Sequence, residues 1–113
     1  MSFHNPVFVA VDRPDLEGAG ALVRSLAPHL GGIKLGLEFF MSVGPDGIRR
    51  MGALGLPIFL DAKLHDIPNT VAGAMRGVVE LPVAMVTLHA TGGLETVSYT
   101  HLTLPTMSTT CRS

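Results

Sequence analysis

Four short apolar runs punctuate the chain: VFVAV at residues 7–11, IKLG at 33–36, IFLDA at 58–62 and AMVTL at 84–88. Each is short and apolar, so they are read as strands. Their first residues lie 26, 25 and 26 positions apart. The gaps carry helical periodicity instead. Leu16, Ala19, Val23, Leu26, Ala27 and Leu30 fall on one face of an amphipathic helix. In the second gap Pro45 stands near a helix start, Ile48, Met51 and Leu54 share a face, and Gly55 marks the stop. In the third, Pro68 opens a segment in which Val71, Ala74, Met75, Val78 and Val79 repeat the pattern.

The result is about four βα units with a period near 25 residues. Eight such units would need roughly 200 residues, close to a compact (β/α)8 barrel. The predicted fold is therefore α/β, the N-terminal half of a (β/α)8 TIM barrel. A small doubly wound sheet is the alternative, but the glycine-rich phosphate loop expected after its first strand is missing from Val11-Asp12-Arg13-Pro14-Asp15.

Composition narrows the reading further. With 113 residues there is room for one core. A mean hydropathy of +0.42 is high, and suggests strands buried on both faces, as in parallel sheets covered by helices. Eight Lys or Arg against nine Asp or Glu, with no basic run, argue against a nucleic-acid partner. The single Cys111 cannot close an intramolecular disulfide, which fits a reducing, cytoplasmic compartment. The apolar stretch from Val7 is stopped by Asp12, too early for a signal peptide or a membrane-spanning helix.

The chain changes character near its end. Residues 95–113 hold six of the nine threonines and the only tyrosine, with two charged residues and no helical or strand period. They are read as an unstructured tail. The run SYTHLTLPT at 98–106 looks like translated sequencing adapter, which would make the tail a sequencing or read-through artefact and 1–94 the barrel portion.

Candidate chemistry gathers at strand ends, where the loops of a parallel barrel form its open face. Asp12, Lys34, Asp61 and Lys63 interrupt or end the apolar runs, and Asp66 follows just before the third helix. Asp61 and Lys63, two apart in a strand, project to the same side. Buried charges are expensive unless paired, so an alternating acid and base array inside an apolar sheet demands a reason. Ordinary ion pairing, with Asp66 capping the helix through the Asn69 or Thr70 amide, is the plain explanation for any one of them. It explains less well why the charges are spread over successive strand ends. His89 ends the fourth strand and His65 lies near the array, exposed or behind it; His4, His29 and His101 carry no signal.

The decapeptide DAKLHDIPNT, Asp61 through Thr70, resembles the signature of the orotidine 5'-phosphate decarboxylase family, the last enzyme of UMP synthesis. The likeness extends back through Phe8-Val9-Ala10-Val11-Asp12 and Ile33-Lys34-Leu35-Gly36, and forward to His89-Ala90-Thr91-Gly92-Gly93, covering about residues 6–93. It implies decarboxylation of orotidine 5'-phosphate to UMP without cofactor or metal. By the resemblance, Lys63 is the proton donor, Asp61 lies beside the substrate carboxylate, Lys34 completes the network and contacts the ribose, and Asp12 holds the ribose too. Asp66 and Thr70 reach into the partner subunit's site, which implies a homodimer. The family's later loops and phosphate site fall outside the resembling stretch, so these 113 residues alone are expected to show no appreciable turnover.

Two other readings stay open. A sugar-phosphate decarboxylase or synthase of the same superfamily would use Asp61 or a nearby acid to hold magnesium, although the Ile67-Pro68-Asn69-Thr70 run speaks for the orotidylate branch. A non-catalytic half-barrel fragment is the other.

Overall fold

A computed structural model describes residues 5–95 and 108–111. Strands β1 (Phe8–Ala10), β2 (Gly32–Gly36), β3 (Ile58–Leu64) and β4 (Met85–His89) alternate with helices α1 (Leu16–Leu26), α2 (Leu37–Gly52) and α3 (Pro68–Val78). A fifth strand, β5, spans Ser108–Cys111. All pairs are parallel, and the spatial order β1-β2-β3-β4-β5 follows the chain without reversal. A doubly wound sheet reverses its order at a switch point, whereas a barrel wall does not. The monotonic order therefore decides for the barrel.

The helices begin and end for local reasons. Asp15 caps α1 by accepting a 2.9 Å hydrogen bond from the Gly18 amide. The periodicity runs on to Leu30, but Pro28 converts the last turn, Ala27–His29, to a 3-10 helix. Pro45 opens the second of two helical stretches that run together as α2, and the first stretch, from Leu37, was not expected; Gly44 breaks the helix between them at φ 70°, which only glycine adopts without strain. Gly55, at φ 90°, ends the turn that follows α2. On α3, Val71, Ala72, Met75 and Val78 are buried while Ala74 and Val79 face outward, so the apolar face is turned by a residue from the one expected.

Alternation along the strands creates two unlike faces. Ile33, Leu35, Ile58, Leu60, Val86 and Leu88 are wholly buried. The first five join Ala19 and Val23 of α1, Ile48 and Met51 of α2, and Val71 and Met75 of α3 in one core. Their strand neighbours Lys34, Phe59, Asp61 and Met85 are only partly covered. The expectation of strands buried on both faces therefore fails: the hydropathy reflects a single thick layer under the helices, and no second wall of strands stands opposite the other face among the described residues.

The tail also departs from expectation. Part of it is β5, which pairs Thr87 with Ser108 and Leu88 with Thr109. Its β-branched Thr109 and Thr110 suit a strand, and the edge of β4 offers backbone groups that require partners. Residues 96–107 and 112–113, with the whole adapter-like run and His101, lie outside the described residues, as does His4. No helix among the described residues is long and apolar enough to cross a membrane.

Candidate active site

The partly covered face of β2 and β3 carries the charges. Register sets Lys34 opposite Phe59 and Gly36 opposite Asp61, so the lysine and the acid stand on the same side, one step apart. Lys34 Nζ lies 3.5 Å from Asp61 Oδ2, and Lys63 Nζ lies 2.7 Å from the same oxygen. The carboxylate is the sheltered member: its side chain is 13% exposed, against 38% for Lys34 and 49% for Lys63. Two cations thus converge on one acid whose position is set by the strand.

Asp61 is held ionised. Burial works against its charge, but hydrogen bonds from Lys63 and Thr87 and the charges of Lys63 and Lys34 outweigh it, leaving the group below the ordinary aspartate value of 3.8. Thr87 on β4 donates its hydroxyl to Asp61 Oδ1 at 2.8 Å and accepts from the Lys63 amide at 2.8 Å. Sequence reasoning passed over this threonine. The available signal was one hydroxyl in the otherwise apolar AMVTL run.

Lys63 itself departs from regular strand geometry, with φ of 52° in the left-handed region. For a residue with a Cβ this is uncommon and costs energy, and such strain tends to gather at functional sites. The β3–β4 register shifts here, with Leu60 opposite Val86 and Leu64 opposite Leu88. An irregular strand end therefore re-aims the lysine onto the carboxylate.

The array opens into a cleft of about 490 Å3 lined by Asp12, Lys34, Asp61 and Lys63, together with Arg13, Glu38 and Ser42. The last three were not foreseen, because nothing local in the sequence marks which loop residues turn inward. Ser42 ties α2 to the loop after β1 through a 3.3 Å hydrogen bond to the Pro14 carbonyl.

Asp66 and Thr70 do not line this cleft; both are exposed at the start of α3. Asp66 does not cap the helix in the expected way. Its Oδ1 accepts from the adjacent Ile67 amide at 2.7 Å, while the Thr70 amide donates to the Ile67 carbonyl. The His65 and His89 rings stack with centroids 4.5 Å apart, and Thr91 Oγ1 lies 3.3 Å from His65 Nε2. His29 is exposed in the 3-10 turn after α1.

With this geometry in place, the sequence matches the Orotidine 5'-phosphate decarboxylase / HUMPS family over residues 5–103. The chain belongs to that family. A relative from Novosphingobium aromaticivorans named orotidine 5'-phosphate decarboxylase is 55% identical over 89 residues, covering 79% of this chain and 40% of the relative. One of the same name from Moorella thermoacetica is 47% identical over 93 residues, covering 82% and 37%. Among solved structures, orotidine 5'-phosphate decarboxylase from Pyrococcus horikoshii superposes with a TM-score of 0.82 at 28% identity, over 87% of this chain and 48% of that one. The enzyme of that name from Lactobacillus acidophilus gives 0.71 at 36% identity, over 85% and 43%. This family member thus spans about 40% of the length of the curated relatives it matches. Its sheet, in chain order with intervening helices, is the N-terminal half of a (β/α)8 barrel.

Proposed function

We propose that the Lys34–Asp61–Lys63 array serves the decarboxylation of orotidine 5'-phosphate to UMP, in the cytoplasm and without cofactor or metal. The observation that carries this reading is the convergence of two lysines on Asp61 Oδ2, at 3.5 and 2.7 Å, at the mouth of an open cleft. In the reaction the bond from pyrimidine carbon 6 to the carboxylate breaks and its electron pair stays on carbon 6. Carbon dioxide leaves, and a proton from Lys63 Nζ takes its place.

Each group has a physical task. The Lys63 ammonium stands next to the developing carbanion, so its attraction grows toward the transition state and lowers the barrier directly. Asp61, kept ionised by its partners, presents a negative charge to the substrate carboxylate. Two like charges about 3 Å apart repel by roughly 5 kcal/mol at an effective dielectric near 20, a strain relieved as carbon dioxide departs. Lys34 and Asp12 on the cleft wall hold the ribose hydroxyls.

Asp66 and Thr70 act across a homodimer interface, each completing the partner's site. Their exposure outside the cleft supports this assignment, as does Ile67, which lies between the two in sequence at the N-cap of α3 and is 64% exposed. An isoleucine so uncovered gains by burial against a second subunit.

The test is a chimera in which residues 1–94 of this chain precede the remainder of the Novosphingobium relative. It should form UMP from orotidine 5'-phosphate in the presence of a chelator, and lose that activity on Lys63→Ala. A folded chimera without turnover, or one that requires a divalent metal, overturns the reading. The 113-residue chain alone is the control and should form none.

A further inference from the structure

We infer that Thr87 is a positioning residue, whose one hydroxyl holds the acid and the base of the array in register with each other. The inference rests on the proposed function for its catalytic meaning, and on the geometry alone for its physical content.

Thr87 is 1% exposed, the buried polar side chain among the described residues, and by strand alternation with Val86 and Leu88 it shares the face of Asp61. A hydroxyl shut off from water is stable only with partners, and this one has two: the Lys63 amide donates to it at 2.8 Å, and Asp61 Oδ1 lies 2.8 Å away. The polarity of the bridge is forced. A backbone amide can only donate, so the hydroxyl accepts there through a lone pair. Its single proton is then free for the carboxylate, which accepts when ionised. The bridge is thus matched to the charged form of Asp61.

It also replaces a lost strand contact. The β3–β4 register slips between Leu60 and Leu64, and Lys63 adopts φ of 52°. A left-handed turn at a strand end leaves its amide away from the regular ladder, and the Thr87 hydroxyl receives it. The same atom therefore fixes the backbone from which Lys63 projects and the carboxylate that Lys63 Nζ meets at 2.7 Å. A valine here would have nearly the same shape and would offer neither bond.

The decisive experiment follows the Asp61 carboxyl carbon by NMR titration in the 113-residue chain, with Thr87→Val and Thr87→Ser. Loss of the hydroxyl should raise the Asp61 midpoint, and Thr87→Ser, which keeps it, should stay near the parent. A threonine that merely fills space would alter melting temperature without moving that midpoint. An unchanged midpoint in a folded Thr87→Val overturns the inference.

If Thr87→Val does not fold, hydrogen exchange of the parent chain decides. A protected Lys63 amide together with a parent-like Asp61 midpoint in Thr87→Ser supports the bridge, and an amide exchanging at the rate of an open loop refutes it. In the chimera, Thr87→Val should lower kcat by about tenfold or more with little change in KM, and Thr87→Ser should restore most of it. A chimera that makes no UMP while the Asp61 midpoint still responds to Thr87 sinks the decarboxylase reading alone. An active, Lys63-dependent chimera with an unresponsive midpoint sinks the positioning role alone.

Discussion

Alternate residues of the same strands live in two environments. On the helix side of β2 to β4, Ile33, Leu35, Ile58, Leu60, Val86 and Leu88 are fully enclosed. One residue along, on the other side, Lys34, Asp61 and Lys63 face an open cleft. The first set holds the sheet to its helices and has no reactive group. The second set concentrates charge and strain and buries little area. Because a strand's side-chain period is two, one short segment supplies both without compromise between them.

This contrast makes graded predictions. The largest effect should fall on the open face: Lys63→Ala in the chimera should lower UMP formation on the order of 10²–10⁴-fold, as expected for loss of a proton donor. A drop below threefold would remove Lys63 from the chemistry. On the enclosed face Leu60→Ala should cost about 2–5 kcal/mol in chemical denaturation, since its fully buried side chain leaves a cavity. If Lys63→Ala destabilised the fold more than Leu60→Ala, the division of labour between the faces would be wrong.

The third prediction concerns acid. Folded Asp61 binds its proton less readily than the unfolded chain, whose value is near 3.8. Around that pH the unfolded state carries more protons, so stability rises with pH. The contribution is complete above the unfolded value and is lost as pH falls through the lower folded one. Asp61→Asn should flatten this acid limb in melts between about pH 2 and 5; an unaltered limb would show that the ion pairs do not persist in solution.

Smaller still is the strain at Lys63. Both Lys63→Gly and Lys63→Ala lose the ion pair, but only glycine accepts φ of 52° freely, so the glycine variant should be the more stable by about 1 kcal/mol. Equal stabilities would mean that the left-handed turn relaxes. At the bottom of the scale, Arg50→Ala should change stability by less than about 0.5 kcal/mol. Its pair with Asp46 spans 3.7 Å on α2 between side chains 70% and 77% exposed.

Much of this was legible in the chain. The spacing of VFVAV, IKLG, IFLDA and AMVTL located β1 to β4 within a few residues, because burial under helices demands apolar runs. Lys34, Asp61 and Lys63 stood out as charges within those runs, and they do meet. The stretch of α2 before Gly44 was not legible, since Pro45 alone reads as the helix start. Nor was β5, because its threonines carry no alternation and its partner lies about 20 residues back along the chain. Thr87 was overlooked for a related reason: a hydroxyl's importance depends on what it faces.

The sequence by itself determined the βα period, the family and the residue types at the strand ends, since these are properties of local order along the chain. Tertiary structure alone decided that the sheet runs in chain order, that one oxygen of Asp61 gathers two lysines, and that Asp66 and Thr70 lie apart from that cluster. The physical reason is that register and strand irregularity are set by pairing between segments some 25 residues apart, and a shift of one residue would turn every charge on the open face into the core.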